Sequence, residues 1–288
     1  MSAKTLDLTG VAPVAIDAIR RMLEHPKYEL IPLKNVIEQA GHLPSGATVT
    51  VTASPQKGQM ATIDLTLDLQ QMGFEVIPHL SARLMKDRRE LRTVLDRLNE
   101  ASVRGAFVVG GDTDPPGEFF DGLALLTAMD QMGHSLGEIG IPGYPEGHPT
   151  IDDSAIAQAL EDKSPFASYI TSQMCFDAGA IAHWVIGLRD ASFGQGVYLG
   201  IPGVAELTKL ISISMRIGVG ASAKFLAKNK SLAGRLVRPG GFGPDKLLID
   251  LASELADPLA NIHGFHVYTF NRVDATEQWR LQMLAALP

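Results

Sequence analysis

Thr48-Val49-Thr50-Val51-Thr52 decides how the rest of the chain is read. Polar and apolar residues alternate through it, and most are β-branched, which is the pattern of a strand. Working outward, further short apolar runs occupy 27–32, 74–80, 105–112, 138–144, 169–173, 197–202 and 264–271. With 48–54 they make eight, most of them ending on a polar residue or a proline. The stretches between them carry apolar residues at helical spacing: 35–43, 60–72, 86–101, 119–132, 152–160, 178–189, 207–217, 223–236, 245–255 and 275–287. Strand–helix alternation predicts a parallel sheet, and eight repeats fit a closed (β/α)8 TIM-type barrel. A doubly wound open sheet is the alternative.

Residues 11–25 precede the first strand and read as an amphipathic helix, with Val11, Val14, Ile16, Ile19, Met22 and Leu23 at helical spacing. The expected organisation is therefore an N-terminal helical extension at 1–26 and a barrel catalytic domain at 27–288. At 288 residues and 45% hydrophobic the chain is large enough for such a core. No apolar stretch approaches the roughly 20 residues of a membrane span. Residues 1–10 lack the charged start and apolar core of a secretory signal. One cysteine, Cys175, excludes an internal disulfide framework, and its expected role is a core thiol. These features point to a cytoplasmic protein that acts without a membrane.

The net charge of −7 is not that of a nucleic-acid binder, which usually shows a basic face. The basic cluster within 224–238 reads as a solvated helix face or as a receiver for an anionic ligand tail. Gly218-Val219-Gly220 and Gly110-Gly111 lack the strand and downstream acid of a dinucleotide fingerprint. No glycine–lysine–serine/threonine phosphate loop is present.

In a (β/α)8 barrel, chemistry sits where the strand C-termini and the loops after them converge. The residues so collected are Thr52, His79, Gly111, Asp112, Tyr144, His148, Gln173 and Arg272, with Glu29 inside the first run. If residues alternate in and out, Glu29 faces the barrel interior, where burial disfavours its charged form; an acid on the strand exterior is equally compatible. Asp112 follows two glycines that let backbone approach a flat ligand, yet Asp112-Thr113-Asp114-Pro115 also reads as a turn. His79 suits a ligand contact or a histidine satisfied by backbone. Tyr144-Pro145-Glu146-Gly147-His148-Pro149 is a stiff loop bearing a phenol, a carboxylate and an imidazole. The Gln173 amide can donate and accept at once, which suits a pterin or flavin edge, or it merely satisfies backbone at a strand end. No paired histidine spacing supports a metal, and none is expected.

These residues resemble the methylenetetrahydrofolate reductase family across roughly 27–288. Tyr28-Glu29-Leu30-Ile31-Pro32 is similar to the family's first strand and Val49-Thr50-Val51-Thr52 to its second. Pro78-His79-Leu80, Gly111-Asp112, Tyr144-Pro145-Glu146-Gly147-His148-Pro149, Gln173-Met174-Cys175-Phe176-Asp177 and His266-Val267-Tyr268-Thr269-Phe270-Asn271-Arg272 follow in the family's order. The resemblance implies a flavin-binding barrel that interconverts 5,10-methylene- and 5-methyltetrahydrofolate in one-carbon metabolism, with FAD bound and NAD(P)H as electron partner. It implies Glu29 as general acid and Asp112 near flavin and folate. Thr52, His79, Gly111, Tyr144 and His148 would line the flavin site, and Gln173 and Arg272 would contact the folate.

Two departures stand out. The family usually places Arg before Gly-Asp, where this chain has Gly110. It also places a Lys-Arg-Lys cluster before strand six, where this chain has Leu160-Glu161-Asp162-Lys163-Ser164. Both losses imply a weakened hold on FAD. Alternatives are a flavin-independent NAD(P)H-dependent reductase and a folate-binding methyltransferase barrel. The reductive direction would feed methionine biosynthesis; the oxidative one would recover methyl groups. A homo-oligomer is compatible with the sequence.

Overall fold

The computed structural model describes residues 6–205 and 244–288. The helices expected at 207–217 and 223–236, the loop at 239–244 up to Gly243, and the basic cluster within 224–238 lie outside the described residues.

Eight parallel strands close into a barrel in chain order. They are β1 (Lys27–Leu30), β2 (Thr48–Val51), β3 (Glu75–Ser81), β4 (Gly105–Val109), β5 (Glu138–Gly143), β6 (Tyr169–Ser172), β7 (Gly196–Pro202) and β8 (Ile262–Tyr268). Every expected run is a strand, and the open-sheet alternative is excluded because β1 pairs with both β2 and β8. Around the barrel lie α1 (Pro13–Glu24), α2 (Val36–Ala40), α3 (Gln59–Gln71), α4 (Arg88–Glu100), α5 (Gly122–Met132), α6 (Asp153–Lys163) and α7 (Ala178–Asp190). After the undescribed segment come α8 (Asp245–Asp250), α9 (Ala252–Ala256) and α10 (Val273–Ala286). The single helix expected at 245–255 is thus two short ones meeting at Leu251.

Alternation along the strands sorts side chains into two environments. Tyr28 and Leu30 of β1 face outward, in one apolar cluster with Val49, Val51 and Val76 of the neighbouring strands and Val36, Ala40, Leu65, Leu69 and Val273 of the helical layer. The intervening Lys27 and Glu29 therefore point inward. Lys27 crosses the barrel floor and sets its Nζ 3.6 Å from the ring centroids of both Tyr169 and Tyr198. Burial pushes this ammonium down to about 8, while Glu138 and Glu75 pull it back up. A cation held between two ring faces gains the electrostatic attraction of the π systems.

Helix α1 is part of the packed body. Ala15, Ile16, Ala18, Ile19, Met22 and Leu23 belong to the same apolar core as Phe265 and Val267 of β8, Leu255 of α9 and Trp279 of α10. A buried polar set ties it down. Arg280 donates through Nη1 to the Leu23 carbonyl at 2.9 Å and through Nε to Glu277 Oε2 at 2.8 Å. The Tyr28 hydroxyl donates to the same carboxylate oxygen at 2.8 Å. Arg20 of α1 reaches the C-terminal carbonyls of Leu287 and Pro288.

Candidate active site

The seam between β1 and β8 builds the deepest part of the site. Glu29 pairs in register with Thr50 and Tyr268. Its carboxylate Oε2 lies 3.2 Å from His266 Nε2, with the Glu29 side chain 12% exposed. Its backbone carbonyl accepts from the Thr269 hydroxyl at 2.5 Å. Just beyond, Asn271 bridges the two strand ends. Its Nδ2 donates to the Ile31 carbonyl, and its Oδ1 accepts from the Ile31 N–H, both at 2.8 Å. Phe270 and Asn271 reach this position through left-handed backbone, at φ 51° and 53°. Asparagine tolerates that region better than most residues. The closing Thr-x-Asn segment thus acts as a latch that fixes the backbone at Glu29 and just beyond it, at Ile31.

His79 faces the same space from β3. It lies two residues inside the strand, not at its end as the sequence suggested, because β3 runs on to Ser81. Its ring packs on Phe107 at 4.8 Å, and its Nε2 has no hydrogen-bond partner among the described residues. Burial, aided by His266, pushes His79 down to about 3, so its ring is neutral. Gln59 of α3 holds this part of β3. Its Nε2 donates to the His79 carbonyl at 2.8 Å, and its Oε1 accepts from the Ser81 N–H at 3.0 Å. Glu29, His79 and His266 each present a ligand-type atom, and these lie within 4.8 Å of one another. Tyr268 flanks His266, with ring centroids 5.0 Å apart, and donates its hydroxyl to the Ser172 carbonyl at 3.3 Å. Burial, with Glu29 and Tyr144 adding, holds the Tyr268 phenol well above its usual range.

The remaining expected residues lie on the loops past the strand ends. Thr52 follows β2; its carbonyl accepts from the Thr62 hydroxyl at 3.1 Å. Gly111 has φ +81°, and a Cβ there would sit 2.1 Å from Ser81 Oγ, so only glycine lets this turn close on β3. Asp112 is exposed beside it. Arg83 pins the loop by donating through Nε to the Thr113 carbonyl at 2.8 Å. Tyr144 and His148 meet edge to face at 5.5 Å. Burial raises the Tyr144 phenol and lowers the His148 imidazole. Gln173 accepts the Met174 N–H on its side-chain Oε1 at 2.9 Å, and its backbone N–H donates to the Gly143 carbonyl at 2.7 Å. Arg272 is partly exposed, its Nε 4.0 Å from Asp274. Cys175 is buried.

The structure thus joins Glu29 to His79, and Tyr144 to His148. His79 finds its histidine neighbour in His266, their ring centroids 6.3 Å apart. His266, Tyr268, Thr269, Asn271 and Gln59 were missed as site residues. The available signal was the period-two spacing of His266 and Tyr268, which puts both on one face of β8.

At the outer rim, Lys163 from the end of α6 packs against Gly122, the first residue of α5. A Cβ on Gly122 would meet Lys163 Cδ at 3.6 Å and the Gly110 N at 3.7 Å. Burial lowers the Lys163 ammonium, and Asp121 partly restores it. One amine, two glycines and the N-terminus of α5, capped by the Asp121 carboxylate, therefore share this corner.

A closed eight-strand barrel whose acid, imidazoles and phenols gather at one mouth defines a TIM-barrel enzyme. A family model described as methylenetetrahydrofolate reductase matches residues 30–282, and the chain belongs to that family. Among solved structures, it is similar to a class V chitinase mutant from Cycas revoluta in complex with (GlcNAc)3. That match has 10% identity and a TM-score of 0.50, covering 91% of this chain and all of the other. It is also similar to a dihydropteroate synthase from Xanthomonas albilineans with 4-aminobenzoic acid, with 13% identity, a TM-score of 0.44, and 92% and 95% of the two chains covered. Identities this low speak to the barrel alone, and the second match carries no argument.

Proposed function

We propose that this chain interconverts 5,10-methylenetetrahydrofolate and 5-methyltetrahydrofolate, with FAD at the barrel mouth and NAD(P)H as electron partner. The observation that carries this reading is Glu29, an acid held inside the barrel of a chain in the methylenetetrahydrofolate reductase family. The residues at the mouth fit a flavin. Gly111 is a bare backbone turn, Tyr144 and His148 offer an aromatic pair, and Thr52, His79 and Asp112 complete the wall. Lys163 is the cation at this rim that would meet a phosphate. Bound FAD would supply the hydride that reduces the methylene carbon.

The chain's own residues supply position and protons. Opening the folate's five-membered ring requires a proton on the departing nitrogen, and Glu29 gives it as general acid. His266 steadies the Glu29 carboxyl through Oε2. In the oxidative direction Glu29 takes the proton back. Gln173 commits its oxygen to the Met174 N–H, which leaves its amide N–H groups to meet a pterin edge. Asp112 tunes charge where flavin and pterin meet, and Arg272 holds the folate side.

The flavin-independent reading draws on Gly110 and on the acidic residues of α6, which leave Lys163 without the companions usual in the family. Each charge-assisted contact is worth roughly 1.5–3 kcal/mol. Two lost contacts weaken binding by about two decades or more, at roughly 1.4 kcal/mol per decade. The expected behaviour is an FAD that is partly lost on gel filtration and restores activity when added back. The absorbance spectrum of the purified protein tests this. A yellow protein bleached by NAD(P)H or methyltetrahydrofolate supports the flavin route. A colourless protein that reduces folate directly with NAD(P)H supports the flavin-independent one. Methyl transfer with neither cofactor would replace the reductase reading by the methyltransferase one. The substrate is a small molecule, and no nucleic acid or membrane enters the scheme; no described helix is long and apolar enough to cross a membrane. A cytoplasmic setting accords with this chemistry.

A further inference from the structure

We propose that Glu29, His79 and His266 form a three-ligand site for a divalent cation of the zinc class, and that filling it withdraws Glu29 from acid catalysis. The inhibitory half rests on the reading of Glu29 as proton donor; the binding half does not.

Three observations carry the site. First, the donor set is two imidazoles and one carboxylate, the ligand types of open zinc centres with three protein ligands. Second, the atoms are already gathered. When three atoms lie within 4.8 Å of one another, some point is no more than about 2.8 Å from all of them. Zinc bonds to nitrogen and oxygen of roughly 2.0–2.2 Å then require each side chain to close in by less than about 1 Å. Third, His79 Nε2 is buried without a hydrogen-bond partner among the described residues, although its residue is only 7% exposed. A buried polar atom left unpaired calls for a partner, and a cation would satisfy it. His266 is 2% exposed, whereas the Glu29 side chain keeps 12%. The carboxylate therefore lies on the open side, where a fourth position is left for water or ligand.

The ligands come from three strands, β1, β3 and β8, which explains why no local spacing announced them. Their supports are rigid. Gln59 clamps β3 on both sides of Leu80, and the Thr269 and Asn271 latch fixes β1 beside Glu29. A carboxylate oxygen engaged by a metal ion is no longer free to carry the proton, so occupancy and turnover should be mutually exclusive.

The test is a Zn2+ titration of the full-length, metal-stripped protein against a chromophoric chelator, followed by the visible spectrum with Co2+ in place of Zn2+. One ion per chain is expected, with a Co2+ spectrum of low coordination number. Supporting groups around a metal are worth about 10–100-fold in affinity, so loss of a ligand should cost roughly 100-fold or more. That loss is expected in His79→Phe, which keeps a ring against Phe107, and separately in Glu29→Gln, at a less buried position. If His79→Phe does not fold, Glu29→Gln and the wild-type Co2+ spectrum decide. Absence of stoichiometric binding overturns the site. So does binding that survives both substitutions, because exposed histidines such as His134 and His183 then hold the ion. Turnover should fall in step with occupancy. Stoichiometric binding at unchanged turnover overturns the inhibitory half. Turnover of metal-free Glu29→Gln tests the reductase reading separately.

Discussion

Removing the Asn271 side chain should damage both stability and turnover without touching a reacting atom. Asn271 makes two 2.8 Å hydrogen bonds to the backbone of Ile31, two residues beyond Glu29, and is 4% exposed. Losing each bond costs about 1–1.5 kcal/mol net. Alanine adds about 1 kcal/mol of strain, because the backbone there is left-handed at φ 53°. The sum is about 3–4 kcal/mol for Asn271→Ala. Asn271→Gly avoids the strain and should be milder by several tenths of a kcal/mol or more. At roughly 2–4 °C per kcal/mol, Asn271→Ala should lower Tm by about 6–15 °C. The assay is urea unfolding of the two variants beside wild type, with kcat and KM measured well below Tm. We expect kcat to fall more than KM rises, because the latch places the acid and not the folate. A stability loss under about 1 kcal/mol together with unchanged kcat would refute the latch.

Other expectations follow from the same geometry. Arg280→Met leaves the Glu277 carboxylate buried without its cation, with only the Tyr28 hydroxyl of this set still donating to it, and frees the Leu23 carbonyl, so unfolding free energy should drop by about 3–5 kcal/mol, measured by chemical denaturation. Turnover at low temperature should survive it, because this cluster lies on the outer side of β1 with Tyr28. Gly111→Ala drives a Cβ toward Ser81 Oγ at a positive φ; it should cost about 1–2 kcal/mol and raise the apparent FAD Kd by fluorescence titration. Gln173→Ala should raise the folate KM while Tm stays within a few degrees of wild type; a large stability loss at constant KM would make Gln173 structural.

The barrel was legible because its strands are written in β-branched and alternating runs, and each run ends at a glycine, proline or polar residue that stops it. Glu29 was legible as a choice between two faces. Its outward neighbours Tyr28 and Leu30 settle that choice, since both belong to the apolar layer between strands and helices. What stayed hidden depends on closure. His266 meets Glu29 across 237 residues of chain, and only the pairing of β8 with β1 brings them together. His79 looked like a strand-end residue because Pro78 precedes it, yet β3 pairs with β4 through Ser81. Asn271 looked like part of a recognition motif, and its role as a backbone bridge needs the Ile31 partner to be seen. Lys163 stood out in the stretch that replaces the family's basic cluster, but its place against Gly122 comes from the packing of α6 on α5.

The central claim is that Glu29 donates the proton that lets a folate ring open in this barrel. The most direct measurement is NAD(P)H oxidation coupled to methylenetetrahydrofolate reduction, with FAD supplied and metal removed, for wild type and Glu29→Gln. The account predicts measurable wild-type turnover and a loss of about 10²-fold or more in the variant, with folate and FAD binding and Tm nearly unchanged. Near-normal turnover in Glu29→Gln would contradict it.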